Sequence, residues 1–440
     1  MADDPSDGAT QSDGWPGFDP NISLELKASG QQSQGAQLTR ELTDRISAAR
    51  GLRYRIGLPI AVRSTAAREL SRFAEAVHRM LERIVVLHSH DDEISRVLAV
   101  PADMSEDVCL DRLPSNARIH LCRLDLVTTA GGDFRALEAN ANCPAALVYS
   151  GWASAAWRAA LSSTLTIPPA LDHEKATWFA EWFVQAANAT TGSTPGSVAL
   201  LRVSGGNRTE LADLERQFHE LGIEAFEADP RDVSFGSSGV TVLGRPVRHA
   251  YLKLGMQDFR HLRAELDDFV SAVRSGALFV QNGQRGRWLG DNKLCLAVLS
   301  DPAFQDRFDV ADWDLVHPRI PWSRSLALCS QESVGLVRSQ RQNYVLKHPL
   351  DTRGRGVVIG REVADSQAWM GAVETARAQN WLVQEFCAGT HITNGEDRPP
   401  YLHDLALGVV NGKIVGAFTR SSPGLKTNIA LGGRLHPVFL

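Results

Sequence analysis

YVLKHPLDTRGRGVVIG, residues 344–360, is the stretch whose reading decides the fold. Tyr344–Lys347 has strand character, and Pro349 stops it because proline has no N–H for a ladder bond. The β-branched run Val357–Ile359 predicts a second strand. Between the two, Thr352, Arg353, Gly354, Arg355 and Gly356 form a short cationic hairpin loop. Glycines let backbone N–H groups approach a ligand closely, and a run of such donors with two guanidiniums suits an anion such as a polyphosphate. Lys347, ending the strand that leads in, adds a point charge toward the same ligand. An ordinary glycine-containing hairpin with solvated arginines has the same local sequence. The stretch is neither a G-x-G-x-x-G turn entering a helix nor a Walker loop, because no helix pattern follows the glycines directly.

A second informative region lies far upstream. Ile119–Thr128 reads as a strand, Gly131-Gly132-Asp133 as a tight turn, and Phe134–Asn140 as the returning strand of a β-hairpin. Glu138 and Asn140, two apart, share one side of their strand, and the hairpin sets Asp125 at about the same height on its neighbour. Two carboxylates and an amide oxygen converging this way make a hard-oxygen site suited to Mg²⁺. The competing reading has these polar residues facing solvent on an exposed edge hairpin. They interrupt an apolar strand, however, and Cys143-Pro144 ends it abruptly.

The rest of the chain is scaffold and linkage. Its 440 residues allow two or three domains, and 43% hydrophobic with 22% charged residues is ordinary globular composition. A net charge of −5 and a pI near 6.2 indicate neither a nucleic-acid footprint nor a basic membrane surface. No apolar run approaches the roughly 20 residues of a membrane helix. The acidic, polar N-terminus reads as neither a secretory signal nor a transit peptide. Six cysteines without C-x-x-C spacing point to reduced thiols and a cytoplasmic protein.

Residues 1–35 read as a disordered tail and 36–118 as a helical scaffold, with Leu70, Phe73, Ala74, Val77, Met80, Leu81 and Ile84 at helix-face spacing. Residues 151–195 are again helical, with Trp152, Trp157, Trp178, Phe179 and Trp182 as core. Ser197–Val203, a helix over Glu210–Leu221 and a strand over Ile223–Ala228 predict a βαβ unit, hence a Rossmann-like layer over 196–285. Ser204-Gly205-Gly206-Asn207 could cradle a ligand, but the fingerprint glycines of a dehydrogenase are missing. Residues 288–302 read as a loop entering a helix capped by Asp291 or Asn292, with Lys293 in its first turn, where a cation opposes the helix dipole. Helix Ser366–Gln379, strand 381–386, and a hairpin of Tyr401–Val410 with Lys413–Thr419 around Asn411-Gly412 follow. No Ser–His–Asp, Cys–His or G-x-S-x-G constellation competes.

Taken together, D-x-K (Asp291, Lys293), VLKHP, RGRGV, VQEF, Asp404 and R…N…GG (Arg420, Asn428, Gly432, Gly433) resemble the ATP-grasp carboxylate–amine ligases. In the usual order the D…E-x-N metal segment follows the GG pair; here it stands at 123–144, so the chain resembles a circularly permuted ATP-grasp of the glutathionylspermidine-synthase-like group. The resemblance covers about 119–150 and 280–440, and implies an α+β fold with a Rossmann-like pre-ATP-grasp layer and an N-terminal helical region. Within it, 119–150 is the permuted metal-binding hairpin and 286–440 the ATP-grasp domain.

The resemblance also implies roles. Lys293 and Lys347 contact ATP phosphates, and Gly354, Arg355 and Gly356 close over them. Gln384, Glu385 and Phe386 form the hinge that binds adenine, largely through backbone groups. Asp125, Glu138 and Asn140 hold Mg²⁺, and Arg420 and Asn428 lie near the γ-phosphate and acyl phosphate. The implied reaction joins a small-molecule, peptide or carrier-bound carboxylate to an amine through an acyl phosphate, with neither nucleic acid nor membrane as partner. One departure stands out. Several relatives have D-x-R where this chain reads Asp404-Leu405-Ala406, which leaves a catalytically inactive ATP-binding partner or regulatory subunit as the alternative.

Overall fold

The computed structural model describes residues 17–19, 32–52, 54–108, 119–161, 167–203, 208–352, 354–392, 401–427, 429 and 432–440. The expectations for most of the 1–35 tail, for 204–207, for Arg353 and for Asn428 fall outside the described residues.

The upstream hairpin forms, with a β-bulge at Leu137 that shifts its register by one residue. Leu121–Thr128 pairs antiparallel with Phe134–Asn140, with Asp125 opposite Glu138 and Arg123 opposite Asn140. Phe134–Asn140 is the sheet's edge, but Leu121–Thr128 is not, because Leu405–Val410 pairs along its other side. All eight residues of Leu121–Thr128 are buried. The reading of an exposed edge hairpin is therefore corrected for the strand that carries Asp125: a long-range partner, which local sequence cannot announce, covers it.

Leu405–Val410, Lys413–Ser422 and Arg434–Phe439 continue this sheet, which reaches ten strands with Ile60–Val62, parallel to Arg434–Phe439, and the short strands Phe18–Asp19, Arg55–Ile56, His391–Ile392 and Tyr401–His403. Asn411 and Gly412 take positive φ of 47° and 85°, as the tight turn between the first two requires. Period-two alternation sorts the Leu121–Thr128 side chains. Cys122, Leu124 and Leu126 join the core formed with helix Ser64–Leu87, and Arg123 and Asp125 face the other way. That helix buries all seven apolar positions expected of it, the six larger side chains contributing roughly 1.5–3 kcal/mol each and Ala74 less. The scaffold is less uniformly helical than expected, since the strands Arg55–Ile56 and Ile60–Val62 interrupt it.

A second sheet is parallel throughout, in the order Phe279–Val280, His249–Leu252, Ser197–Leu201, Glu224–Ala228. Helix Thr209–Glu220 makes the expected βαβ crossover. Helices Leu147–Leu161 and Trp178–Thr191 bury Trp157, Trp178, Phe179 and Trp182, while Trp152 is half-buried under the Arg50 guanidinium.

The stretch quoted first builds a third, small antiparallel sheet in the order Ser323–Ser325, Leu382–Glu385, Tyr344–Lys347, Val357–Ile359. Helices Gln331–Ser339 and Ser366–Ala378 cover it, and Leu326, Val334, Val337, Leu346, Trp369, Val373, Ala376 and Val383 form its own core. Residues 288–302 differ from expectation. Trp288–Gly290 close a helix that begins at Gly283, and the next helix starts only at Cys295, so Lys293 precedes it rather than sitting in its first turn.

Candidate active site

The three sheets enclose one cavity of about 1140 Å³. Residues just past the C-terminal ends of two parallel strands, Arg202, Val203, Lys253 and Leu254, line its far end, the usual ligand side of such a sheet. Its floor is the face of the large sheet that carries Arg123, Asp125, Glu138, Asn140, Asp404 and Arg420. Its roof is the small sheet with Lys347, Gly354, Arg355, Val357 and Gln384.

A chain of alternating charges organises the floor. Arg123 holds Asp125 with both arms, Nε to Oδ1 at 2.6 Å and Nη2 to Oδ2 at 2.8 Å, and its Nη1 donates to the Ala145 carbonyl. Arg420 Nη2 reaches Asp125 Oδ2 at 2.9 Å. Asp404 accepts the Arg420 backbone N–H (2.9 Å), its Nε (2.8 Å) and the Thr427 hydroxyl (2.7 Å). Burial alone would push the Asp125 carboxyl up, but Arg123 and Arg420 outweigh it and hold the group well below the usual carboxylate range. Burial likewise opposes the Arg420 charge, and Asp125 and Asp404 together raise its pKa regardless.

The lysines tie floor to roof. Lys347 Nζ donates to the Leu137 carbonyl (2.9 Å) and to Gln384 Oε1 (2.6 Å), and Gln384 Nε2 donates in turn to Ser323 Oγ. Burial brings Lys347 down to about 8, Glu138 pulling it back up and Lys293 pushing it further down. Lys293 is no solvated surface lysine: it is 4% exposed, pairs with Glu138 at 3.0 Å and donates to the Asp351 carbonyl at 2.6 Å. Its burial disfavours the charge, yet Glu138 and Asp291 more than compensate and raise its pKa. Asp291 does not cap the start of the following helix; it is the C-cap of Gly283–Gly290. Its Oδ1 accepts the backbone N–H groups of Ala141 (2.8 Å) and Asn142 (3.0 Å), fixing the end of the Glu138–Asn140 strand, and burial raises its pKa.

The loop geometry is specific. Gly354 and Gly356 take φ of +74° and +62°, and a Cβ on Gly356 would lie 2.6 Å from His348 Cβ. At the hinge, the Glu385 N–H goes to the Trp322 carbonyl and the Phe386 N–H to the Asn343 carbonyl. The expectation that this hinge offers its backbone generally is thus narrowed. Of the remaining groups, the Cys387 N–H has no backbone partner among the described residues, and the Glu385 carbonyl accepts the Cys387 thiol at 4.0 Å.

Asp125, Glu138, Asn140, Lys347, Gly354, Arg355, Gln384, Glu385, Phe386 and Arg420 all line the cavity; Lys293 and Gly356 stand just behind its wall. Sequence reasoning did not single out Arg123, Thr427 or Lys426 for the site. Arg123 was within reach, since two positions before Asp125 puts it on the same strand face. Thr427 and Lys426 sit in a loop whose placement no local pattern signals. Among the described residues no group of three His, Cys, Asp or Glu side chains is disposed to hold a metal. Of the three oxygen ligands expected for a divalent cation, Asp125 is the most committed, both its oxygens accepting guanidinium hydrogens, while Glu138 pairs with Lys293 and the Asn140 amide donates to Asp125 Oδ2 at 3.3 Å. No described helix is long and apolar enough to cross a membrane.

Comparison with known proteins gives a likeness in fold and none in sequence. No family profile and no curated protein matches the chain. Among solved structures, a glutathione synthetase-like effector from Globodera pallida superposes with a TM-score of 0.63 at 12% identity, over 96% of this chain and 98% of its own. The chain therefore shares the mixed α/β fold of that effector. A chain assigned as a γ-glutamylcysteine synthetase from Methylobacillus flagellatus (TM-score 0.43, 12% identity, 84% of this chain and 88% of that one) aligns too loosely to add to this.

Proposed function

We propose that this chain is an ATP- and Mg²⁺-dependent ligase that joins a carboxylate to an amine and releases ADP and phosphate. One observation carries the reading. Two segments nearly 300 residues apart, the 121–140 hairpin and the strand bearing Arg420, meet in one cavity under the Lys347 sheet. The chain order then reads as a circularly permuted ATP-grasp fold, with 119–150 and 286–440 as its parts and 196–285 as the Rossmann-like layer. The five described cysteines are free, which suits a reducing, cytoplasmic setting.

In this reading adenine lies at the Glu385 carbonyl and Cys387 N–H, and Lys347, Lys293 and the Gly354–Gly356 loop receive the phosphates. Glu138 and Asn140 would hold Mg²⁺, which neutralises phosphate charge when bound. Positioning and charge neutralisation are most of what phosphoryl transfer asks of a protein. The substrate carboxylate, held by Arg123 and Arg420, attacks the γ-phosphorus and ADP departs. The amine then adds to the acyl carbon, the C–O bond to phosphate breaks, and the nitrogen gives up its proton. The acid is a small molecule, a peptide or a carrier-bound group.

The test is hydroxylamine in place of the amine, offered with ATP and a panel of acids. A hydroxamate appearing with equimolar ADP and phosphate supports the reading; AMP and pyrophosphate overturn it. A second reading, an ATP-binding protein without catalysis, rests on Ala406, wholly buried opposite Asp125 where relatives carry an arginine. It predicts ATP binding with no ADP release from any acid, and Arg123 delivering a guanidinium from the neighbouring strand argues against it.

A further inference from the structure

Among the described residues, three ammonium groups on backbone carbonyls tie the small sheet and its loop to the elements around the cavity. Lys347 reaches Leu137, Lys293 reaches Asp351, and Lys426 reaches Val357 at 2.9 Å. The first two have roles in the reading above. Lys426 has none.

Its setting is informative. Val357–Ile359 is the outer strand of the small sheet, so one side of its ladder is open. The Gly356 carbonyl already accepts the His348 N–H, and the alternation of a strand turns the next carbonyl, that of Val357, toward the open edge. Lys426 approaches from the floor and meets it there. The loop that carries Lys426 is pinned one residue later by the Thr427 hydroxyl on Asp404, the carboxylate that orients Arg420.

Lys426 also lines the cavity, with Arg355 and Val357 of the roof and Arg420 of the floor. Of the other cavity-lining lysines, Lys253 is paired with Glu210, and Lys347 is committed to Leu137 and Gln384. No carboxylate lies within ion-pair distance of Lys426 among the described residues. An ammonium has three donors, and Val357 takes one.

We infer that Lys426 is a third lysine of the phosphate site, and that by donating to a polyphosphate and to the Val357 carbonyl together it couples the seating of the small sheet to nucleotide binding. The inference rests on the ATP reading and adds to it a residue that none of the matched motifs contains. Three phosphate-directed ammonium groups would then arrive from three places: the small sheet, the turn before Cys295, and the C-terminal loop.

The experiment compares wild type, Lys426→Met and Lys426→Arg by calorimetric titration with ATP·Mg²⁺, ADP·Mg²⁺ and adenosine. Hydrogen exchange of peptides covering 354–360 is followed with and without ATP. Lys426→Met should weaken ATP and ADP about tenfold or more, the scale of a lost charge-assisted hydrogen bond. Adenosine affinity should stay the same, and ATP-induced protection of 354–360 should disappear. Lys426→Arg should restore most of both. Unchanged ATP affinity in Lys426→Met overturns the inference, and so does an equal loss for adenosine, which marks a purely structural tie. A wild-type chain that binds no ATP overturns the nucleotide reading itself, a result distinct from either.

Discussion

Arg420 and Asp125 stand 295 positions apart in the chain and 2.9 Å apart in space. With Asp404 they form a buried triad in which one guanidinium serves two carboxylates. Removing the cation leaves two buried anions, Arg123 alone compensating one of them. Arg420→Ala should therefore destabilise the fold by about 3–5 kcal/mol, the range for breaking a buried pair. Urea unfolding measures that, and hydroxamate formation should be lost in any fraction that remains folded. A change below about 1 kcal/mol would contradict the network.

Lys347 gives a pH signature. Its folded pKa, about 8, lies below the ordinary lysine value, so the charge needed for phosphate binding fades as pH rises through 8. Apparent ATP affinity of the wild type should fall between pH 7 and 9.5. Lys347→Arg cannot deprotonate in that range and should bind with a flat profile. The stability effect runs in step. Between about 8 and 10.4 the unfolded chain binds the extra proton, so this lysine's cost to stability is full below 8 and relieved above it.

Glycines 354 and 356 should differ in their tolerance of a methyl group. Both have positive φ, but a Cβ on Gly354 meets nothing within 4 Å, whereas one on Gly356 collides with His348 and Asp351. Gly354→Ala should cost about 1 kcal/mol, the scale of left-handed strain alone. Gly356→Ala should cost more and also weaken ATP, because Asp351, whose carbonyl Lys293 holds, must move. Thermal melts with and without ATP separate the two effects.

Glu138→Gln removes the carboxylate that would hold the metal while keeping its size. Lys293 then loses its ion-pair partner. The Mg²⁺ concentration needed for half-maximal ATP binding should rise at least tenfold, with adenosine binding unchanged. An identical Mg²⁺ requirement would place the cation elsewhere.

Several buried histidines set the acid limit. Burial brings His173, His249 and His403 to about 4 and His436 to about 3. Each is neutral in the folded chain over a range where the unfolded chain binds a proton. Stability is thus full above about 6.5 and falls on acidification toward 4, by about 1.4 kcal/mol per histidine per pH unit. His436→Gln should shallow the decline seen in urea midpoints between pH 6.5 and 4.5.

The amino-acid sequence by itself determined what short-range physics controls. The hairpin itself follows from a glycine turn between two strand patterns, although a bulge at Leu137 sets the Asp125–Glu138 pairing, and the helix Ser64–Leu87 follows from its apolar spacing. The strands on either side of the Thr352–Gly356 loop follow from β-branched residues and a stopping proline. Only the tertiary structure decided which charges meet. Leu405–Val410 inserts beside Leu121–Thr128, placing the strand that carries Asp125 in the interior of a ten-stranded sheet while Phe134–Asn140 stays at its edge. That insertion brings Arg420 onto Asp125, and it let Lys426 and Thr427, which no motif marked, enter the site. The reason is physical. Local pattern sets the face a side chain occupies, but a buried ion pair between remote strands depends on sheet order, fixed by the packing of the whole chain.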